Sequence, residues 1–163
     1  MHSLFKISSA LLLGASAFAA HAATQSVTVQ YTLTVPTACT LSKAGTTVAK
    51  SLPVDGTPVN ETFSVMCNAD YTISAQTKNS SGSVNQSWLR YAGPKGTSLI
   101  AYPITLTSPL RNVPMNNAAG TKVTAGLSAT PEIYTLTASA PAFPLSSLLA
   151  TDYTDEVTIE ISY

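Results

Sequence analysis

Short runs in which apolar and polar residues alternate recur along this chain, and this two-residue period is that of a half-buried β-strand. Such runs span residues 59–68, 70–77, 98–107, 121–127, 132–140 and 153–163, and clusters of Gly, Pro, Asn and Ser separate them. The best helical candidate, at residues 145–153, has room for two turns at most. We therefore predict an all-β protein with an immunoglobulin-like β-sandwich, and a small barrel is the alternative.

The most regular run is "SVTVQYTLTV", residues 26–35, near the start of the sequence. Its polar positions hold Thr and Gln, and its apolar positions share one face of a strand: Val27, Val29, Tyr31, Leu33 and Val35. Alternation alone leaves two interpretations open, because each of them buries one face. The run is either the first strand of this domain's own sandwich or a strand that is offered to another molecule.

Residues 1–22 have the pattern of a secretory signal peptide. Lys6 supplies the positive charge, residues 10–20 form an apolar core that is too short to span a membrane, and Ala20-His21-Ala22 is a small-x-small cleavage site. We expect an exported protein that begins near Ala23. The remaining 141 of the 163 residues suit a single domain.

The composition of the expected mature chain excludes several functions. Its net charge is about −1, because Lys6 is the only charged residue before position 23, and its basic residues are not clustered as nucleic-acid binding requires. Both histidines, His2 and His21, lie in the signal peptide, so Ser-His, Cys-His and His-metal chemistry are excluded. We expect no enzyme activity, no cofactor, no metal and no nucleic-acid partner.

Two cysteines, Cys39 and Cys67, lie in the expected mature chain. In an oxidising compartment a single pair of cysteines most simply forms one disulfide. The alternative is a free thiol nucleophile.

Two further groups of side chains are candidate sites. Acidic residues gather near the C-terminal end of the sequence, where the simplest interpretation is a solvated strand face rather than catalysis or calcium binding: Asp152, Asp155, Glu156 and Glu160. Trp88, Arg90 and Tyr91 lie in a polar stretch that we interpret as a long loop. These aromatic residues either anchor that loop to the core or form a patch that binds sugar or protein.

Three segments resemble chaperone–usher fimbrial subunits, most closely the archaic branch with a spore-coat-U-like domain. They are "TVPTACTL" around Cys39, "FSVMCNADYTISAQT" around Cys67, and the final "YTDEVTIEISY". The resemblance is spread over the mature chain and depends mainly on its two ends and the cysteine region. The segment "SLPVDGTPVNETF" departs from the family, since it lacks the Phe-Gly element that is frequent there.

The resemblance implies an incomplete immunoglobulin-like sandwich that is completed by donor-strand complementation from another subunit. It implies a donor-strand extension at residues 23–36, a single pilin domain at residues 37–163, and a C-terminal strand with one apolar row: Val157, Ile159, Ile161 and Tyr163. The implied partners are other fimbrial subunits, a periplasmic chaperone, an outer-membrane usher and a host or surface receptor.

The expected function is that of a structural subunit of a cell-surface fimbria, which is exported through the periplasm, polymerises by strand exchange and supports adhesion or biofilm formation. Two alternatives stay open from the sequence. The first is a minor or receptor-binding fimbrial adhesin subunit. The second is a stand-alone secreted β-sandwich that binds a ligand.

Overall fold

The structure is a computed structural model that describes residues 25–126 and 130–163. The predicted signal peptide lies outside the described residues. The chain divides between Thr34 and Val35 into two units, and the described part of the first is residues 25–34. No strand is assigned in residues 25–34. No helix within the described ranges is long and apolar enough to cross a membrane.

The described residues of the second unit form nine strands in two antiparallel sheets. Six strands form the larger sheet: β1 (Cys39–Leu41), β2 (Val59–Cys67), β4 (Gln86–Gly93), β5 (Gly96–Thr107), β6 (Asn112–Val113) and β8 (Glu132–Ala138). Their order is β1-β2-β8-β5-β4, and β6 pairs with the end of β5. Three strands form the smaller sheet in the order β7-β3-β9: β3 (Tyr71–Thr77), β7 (Thr121–Val123) and β9 (Val157–Ser162).

One hydrophobic core lies between the sheets and contains side chains from both. Phe63, Val65 and Tyr134 come from the larger sheet, and Ile73 and Ala75 come from β3. The ring of Phe63 stacks on that of Tyr134, with the ring centroids 5.5 Å apart. The prediction of an all-β, immunoglobulin-like sandwich is confirmed, and the only helical turn in the described part of the chain is the 3₁₀ turn Leu145–Ser147.

The disulfide between Cys39 and Cys67 is confirmed. The two cysteines lie directly opposite each other in the β1–β2 ladder. The bond closes a sequence separation of 28 residues, for which the chain-entropy model gives a stabilisation of about 3–4 kcal/mol. It fixes the short strand β1 to the edge of the larger sheet.

The interpretation of residues 86–93 as part of a loop is wrong, because they form strand β4. The alternation there is disguised: the small polar residue Ser87 is fully buried, whereas the large Trp88 is only half-buried on the opposite face. The buried Ser87 hydroxyl is tolerated because its single proton has two acceptors within reach, Asp155 Oδ2 at 2.6 Å and the Asn79 carbonyl at 3.0 Å.

Pro103 does not break the strand in which it lies. Strand β5 pairs with β4 up to Pro103 and with β8 from Ile104 onward. The proline, which has no N–H to donate, therefore lies where β5 exchanges one partner for the other, so few ladder hydrogen bonds are lost.

Candidate functional site

The candidate site is the outer edge of strand β9. On one side β9 is paired with β3, in a register that runs from Val157 opposite Thr77 to Ser162 opposite Thr72. Within the described ranges no strand pairs with its other side. With six residues, β9 is longer than β1 and β7, which have three residues each and also lie at sheet edges.

The backbone groups of alternate β9 residues point toward this unpaired side. The Lys78 N–H donates to the Glu156 carbonyl at 2.8 Å, which marks the even-numbered positions as those bonded to β3. An antiparallel ladder bonds alternate pairs, so the N–H and C=O groups of Val157, Ile159 and Ile161 are directed away from β3. They form a row of backbone donors and acceptors that an added strand can pair with.

The side chains of the same residues are incompletely covered. Val157, Ile159 and Ile161 pack against the core but are only half-buried. Their neighbours on the central strand β3 are more deeply buried: Ile73 and Ala75 are 0 % exposed. Because both rows face the same core, the difference comes from β9's position at the edge of the sheet.

The connections between the sheets show where the core is left open. From β5 the backbone pairing passes through β6 to Val113, and from there Met115 bridges to Ala75 on β3. This path joins the sheets on one side, and the bridge between Arg90 and Thr154 joins β4 to the segment before β9. Among the described residues β1 and β9 each pair with another strand on one side only. Leu41 and Cys39 on β1, like the β9 row, are half-buried against the core.

Tyr163 does not continue the β9 row as predicted. The last pair of the ladder is Thr72 with Ser162, and β9 ends there. Tyr163 lies beyond that last pair and its side chain is 66 % exposed. The half-buried row is therefore Val157, Ile159 and Ile161.

The apolar residues of the extension are exposed to solvent. The exposed fractions lie between 61 and 91 % for Val27, Val29, Tyr31, Leu33 and Val35. Five large apolar side chains, alternating with Thr and Gln, are thus left without burial. Exposed apolar surface of this extent is typical of a segment that binds a partner.

The acidic residues near β9 have different roles. Asp155 accepts four hydrogen bonds: from the Ser87 and Tyr102 hydroxyls at 2.6 and 2.8 Å, and from the N–H groups of Asn79 and Glu156, both at 2.9 Å. Burial, together with the hydrogen bond to Asp155, raises the pKa of Tyr102 well above its ordinary value, so its hydroxyl remains a donor. Asp155 therefore ties β4, β5 and the end of β3 to the start of β9.

Replacing Asp155 with Ala is expected to lower the free energy of unfolding by about 2–5 kcal/mol, since buried hydroxyls then lose their acceptor. The matched control is Asp152→Ala, because Asp152 is exposed and its removal should change the stability by less than about 0.5 kcal/mol. Urea unfolding of the two variants measures both values. Equal stabilities would show that Asp155 does not link these strands.

Glu156 and Glu160 lie on the outward face of this segment and are exposed. Among the described residues no group of three or more His, Cys, Asp or Glu side chains is arranged to hold a metal ion. Trp88, Arg90 and Tyr91 all belong to β4. Tyr91 packs near Tyr153, with ring centroids 6.1 Å apart, whereas Trp88 and Arg90 share the opposite face of the strand.

Comparison with known proteins gives a family match and similarity to solved structures. A family model described as the Spore Coat Protein U domain matches residues 23–160. The fold is similar to the crystal structure of the P pilus rod subunit PapA, with a TM-score of 0.48 and 11 % sequence identity, over 77 % of this chain and 98 % of that chain. The search of curated proteins finds no match.

Proposed function

We propose a mechanism of assembly for this chain, which belongs to the Spore Coat Protein U domain family: its extension is a donor strand that pairs with the β9 edge of a neighbouring copy. Family membership confirms the resemblance to chaperone–usher fimbrial subunits, and the chain is accordingly an exported fimbrial subunit displayed at the cell surface. The proposal concerns how such subunits are joined.

The observation that carries this proposal is the match between two incomplete surfaces of one chain. The extension has five exposed apolar side chains on one face, and β9 has a row of half-buried apolar side chains beside unpaired backbone groups. A strand added at this edge gains backbone hydrogen bonds and buries alternate side chains, which is the general mode of strand addition. Ten extended residues span about 34 Å, enough to run the length of a small sandwich.

A head-to-tail polymer follows from this arrangement. Each subunit carries one extension and one β9 edge, and the two surfaces differ, so each contact is heterologous and leaves a free surface at each end of the growing fibre. Before incorporation the β9 edge requires a temporary cover, because an exposed apolar edge strand promotes aggregation. We assign that cover to a periplasmic chaperone and its exchange to an outer-membrane usher, and we propose that the fibre supports adhesion or biofilm formation.

Deleting residues 23–35 is the direct test of the extension. The deletion removes neither cysteine of the disulfide and no residue of strands β1 to β9. It should fold and accept the extension of a wild-type subunit, but it should not be added to a wild-type subunit as a donor. Electron microscopy of cells that express only the shortened chain should show no fibres, and fibres of normal length would contradict the proposed role of the extension.

A further inference from the structure

A polar cleft lies where β4, the end of β3 and the segment leading into β9 meet. Its volume is about 540 Å³, which is within the range of small-ligand sites. The lining includes two cationic side chains, Lys78 and Arg90, together with Glu156 and Asn79. The cleft is distinct from the apolar row of β9, because Glu156 and Arg90 face outward whereas Val157, Ile159 and Ile161 face the core.

Backbone hydrogen bonds hold the walls of the cleft in place. Arg90 and Thr154 exchange two backbone hydrogen bonds, of 2.9 and 3.0 Å. Asn79 donates from its backbone to Asp155 and from its side-chain amide to the Thr154 carbonyl, both at 2.9 Å. A site fixed in this way needs little reorganisation when a ligand binds, which reduces the entropic cost of binding.

The charges of the cleft are balanced. Lys78 pairs with Glu156 at 3.4 Å, and the carboxylate of Asp155 is already engaged by four donors. The guanidinium of Arg90 has no hydrogen-bond or ion-pair partner among the described residues. With two cations and two carboxylates, the lining has no net charge and gives no long-range attraction for ions. The lining presents hydrogen-bond donors and acceptors side by side. This arrangement suits a ligand with hydroxyl groups, because each hydroxyl both donates and accepts.

An aromatic side chain outside the lining of the cleft projects from the same face of β4 as Arg90. Trp88 is two residues before Arg90 on β4, so both side chains project from the same face, and Trp88 is only half-buried. Aromatic rings pack well against the apolar faces of ring-shaped polar ligands. We propose that this cleft binds a neutral hexose saccharide, with Arg90 and Glu156 hydrogen-bonding its hydroxyls and Trp88 packing against the sugar ring.

The test is titration of the full mature chain with neutral gluco- and galacto-oligosaccharides, in which saturation-transfer NMR measures binding. Arg90→Ala and Glu156→Gln should each weaken binding at least tenfold. The matched control is Lys95→Ala, in the turn between β4 and β5 and outside the cleft, which should leave binding unchanged. Thermal unfolding should be the same in all three variants, because the substituted side chains are exposed.

Three outcomes would overturn this proposal. One is the absence of binding by every neutral oligosaccharide, and another is undiminished binding by both cleft variants. The third is binding of uronate oligosaccharides alone, abolished at high salt, which would indicate an anion site instead. None of these results depends on strand exchange, so the failure of this proposal and the failure of the assembly mechanism are distinguishable.

Discussion

Replacing Leu33 with Asp should abolish the ability of a subunit to be joined to its neighbour. Leu33 is 87 % exposed in the single chain, so the substitution leaves the fold of the donor subunit undisturbed. In the polymer the same position is buried against β9 of the neighbour under the proposed mechanism. Losing a buried leucine removes about 1.5–3 kcal/mol, and burying an unpaired carboxylate costs several kcal/mol more. We expect the affinity between subunits to fall by more than about a thousandfold.

Thr32→Asp is the matched control for Leu33→Asp. It introduces the same charge one residue away, and alternation places it on the opposite face of the strand. Fibre yield, measured by electron microscopy and by sedimentation of sheared fibres, should be near the wild-type level for Thr32→Asp and absent for Leu33→Asp. Equal losses in the two variants would mean that the extension does not bind through one face.

Replacing Ile159 with Asp should have a comparably large effect on the opposite surface of the subunit. Ile159 is the middle residue of the half-buried row and lies opposite Ala75, which is completely buried. A carboxylate there disrupts the apolar surface that the incoming strand needs. The variant should fail to accept an extension, although its own extension is intact. Thr158→Asp is the control, because Thr158 is exposed on the other face of β9.

Ile159→Ala is a milder variant that tests the same surface if Ile159→Asp does not fold. It shortens the side chain without adding charge, and it should slow the addition of the next subunit at least tenfold while the subunit keeps its disulfide and its cooperative unfolding. Addition at the wild-type rate to folded Ile159→Ala would show that this row is not the docking surface.

Mixing the Leu33→Asp and Ile159→Asp variants separates the two surfaces. Leu33→Asp retains a working β9 edge and Ile159→Asp retains a working extension, so a single productive contact remains between them. Neither variant alone should assemble, and the mixture should yield a heterodimer and nothing longer. Long polymers from the mixture, or no complex at all, would contradict a head-to-tail assembly with two distinct surfaces.

Alternation in the sequence predicted most of the strands because five of them bury one face against the core. Strands β2, β3, β8 and β9 fall within the predicted segments, and β5 begins two residues before its segment. Strand β4 escaped prediction because its buried Ser87 depends on Asp155, 68 residues further along the chain. The weak run at 121–127 is paired only over Thr121–Val123, and residues 127–129 lie outside the described part.

The candidate site at β9 could be predicted only in part, and the reason differs from that for strand β4. The apolar rows of the extension and of β9 are both visible in the sequence, because each alternates with polar residues. Alternation reports that one face is buried and does not identify what buries it. The unpaired edge of β9 became apparent only from the sheet order, and the cleft beside β4 only from the bridge between Arg90 and Thr154.

Electrophoresis of purified fibres in SDS, with and without prior heating, tests the central claim most directly. Subunits joined by an inserted strand share backbone hydrogen bonds and a buried apolar row, so their contacts should dissociate slowly. We predict a ladder of multimers in unheated samples that collapses to monomer after boiling. Monomer alone in the unheated samples would contradict strand exchange between subunits.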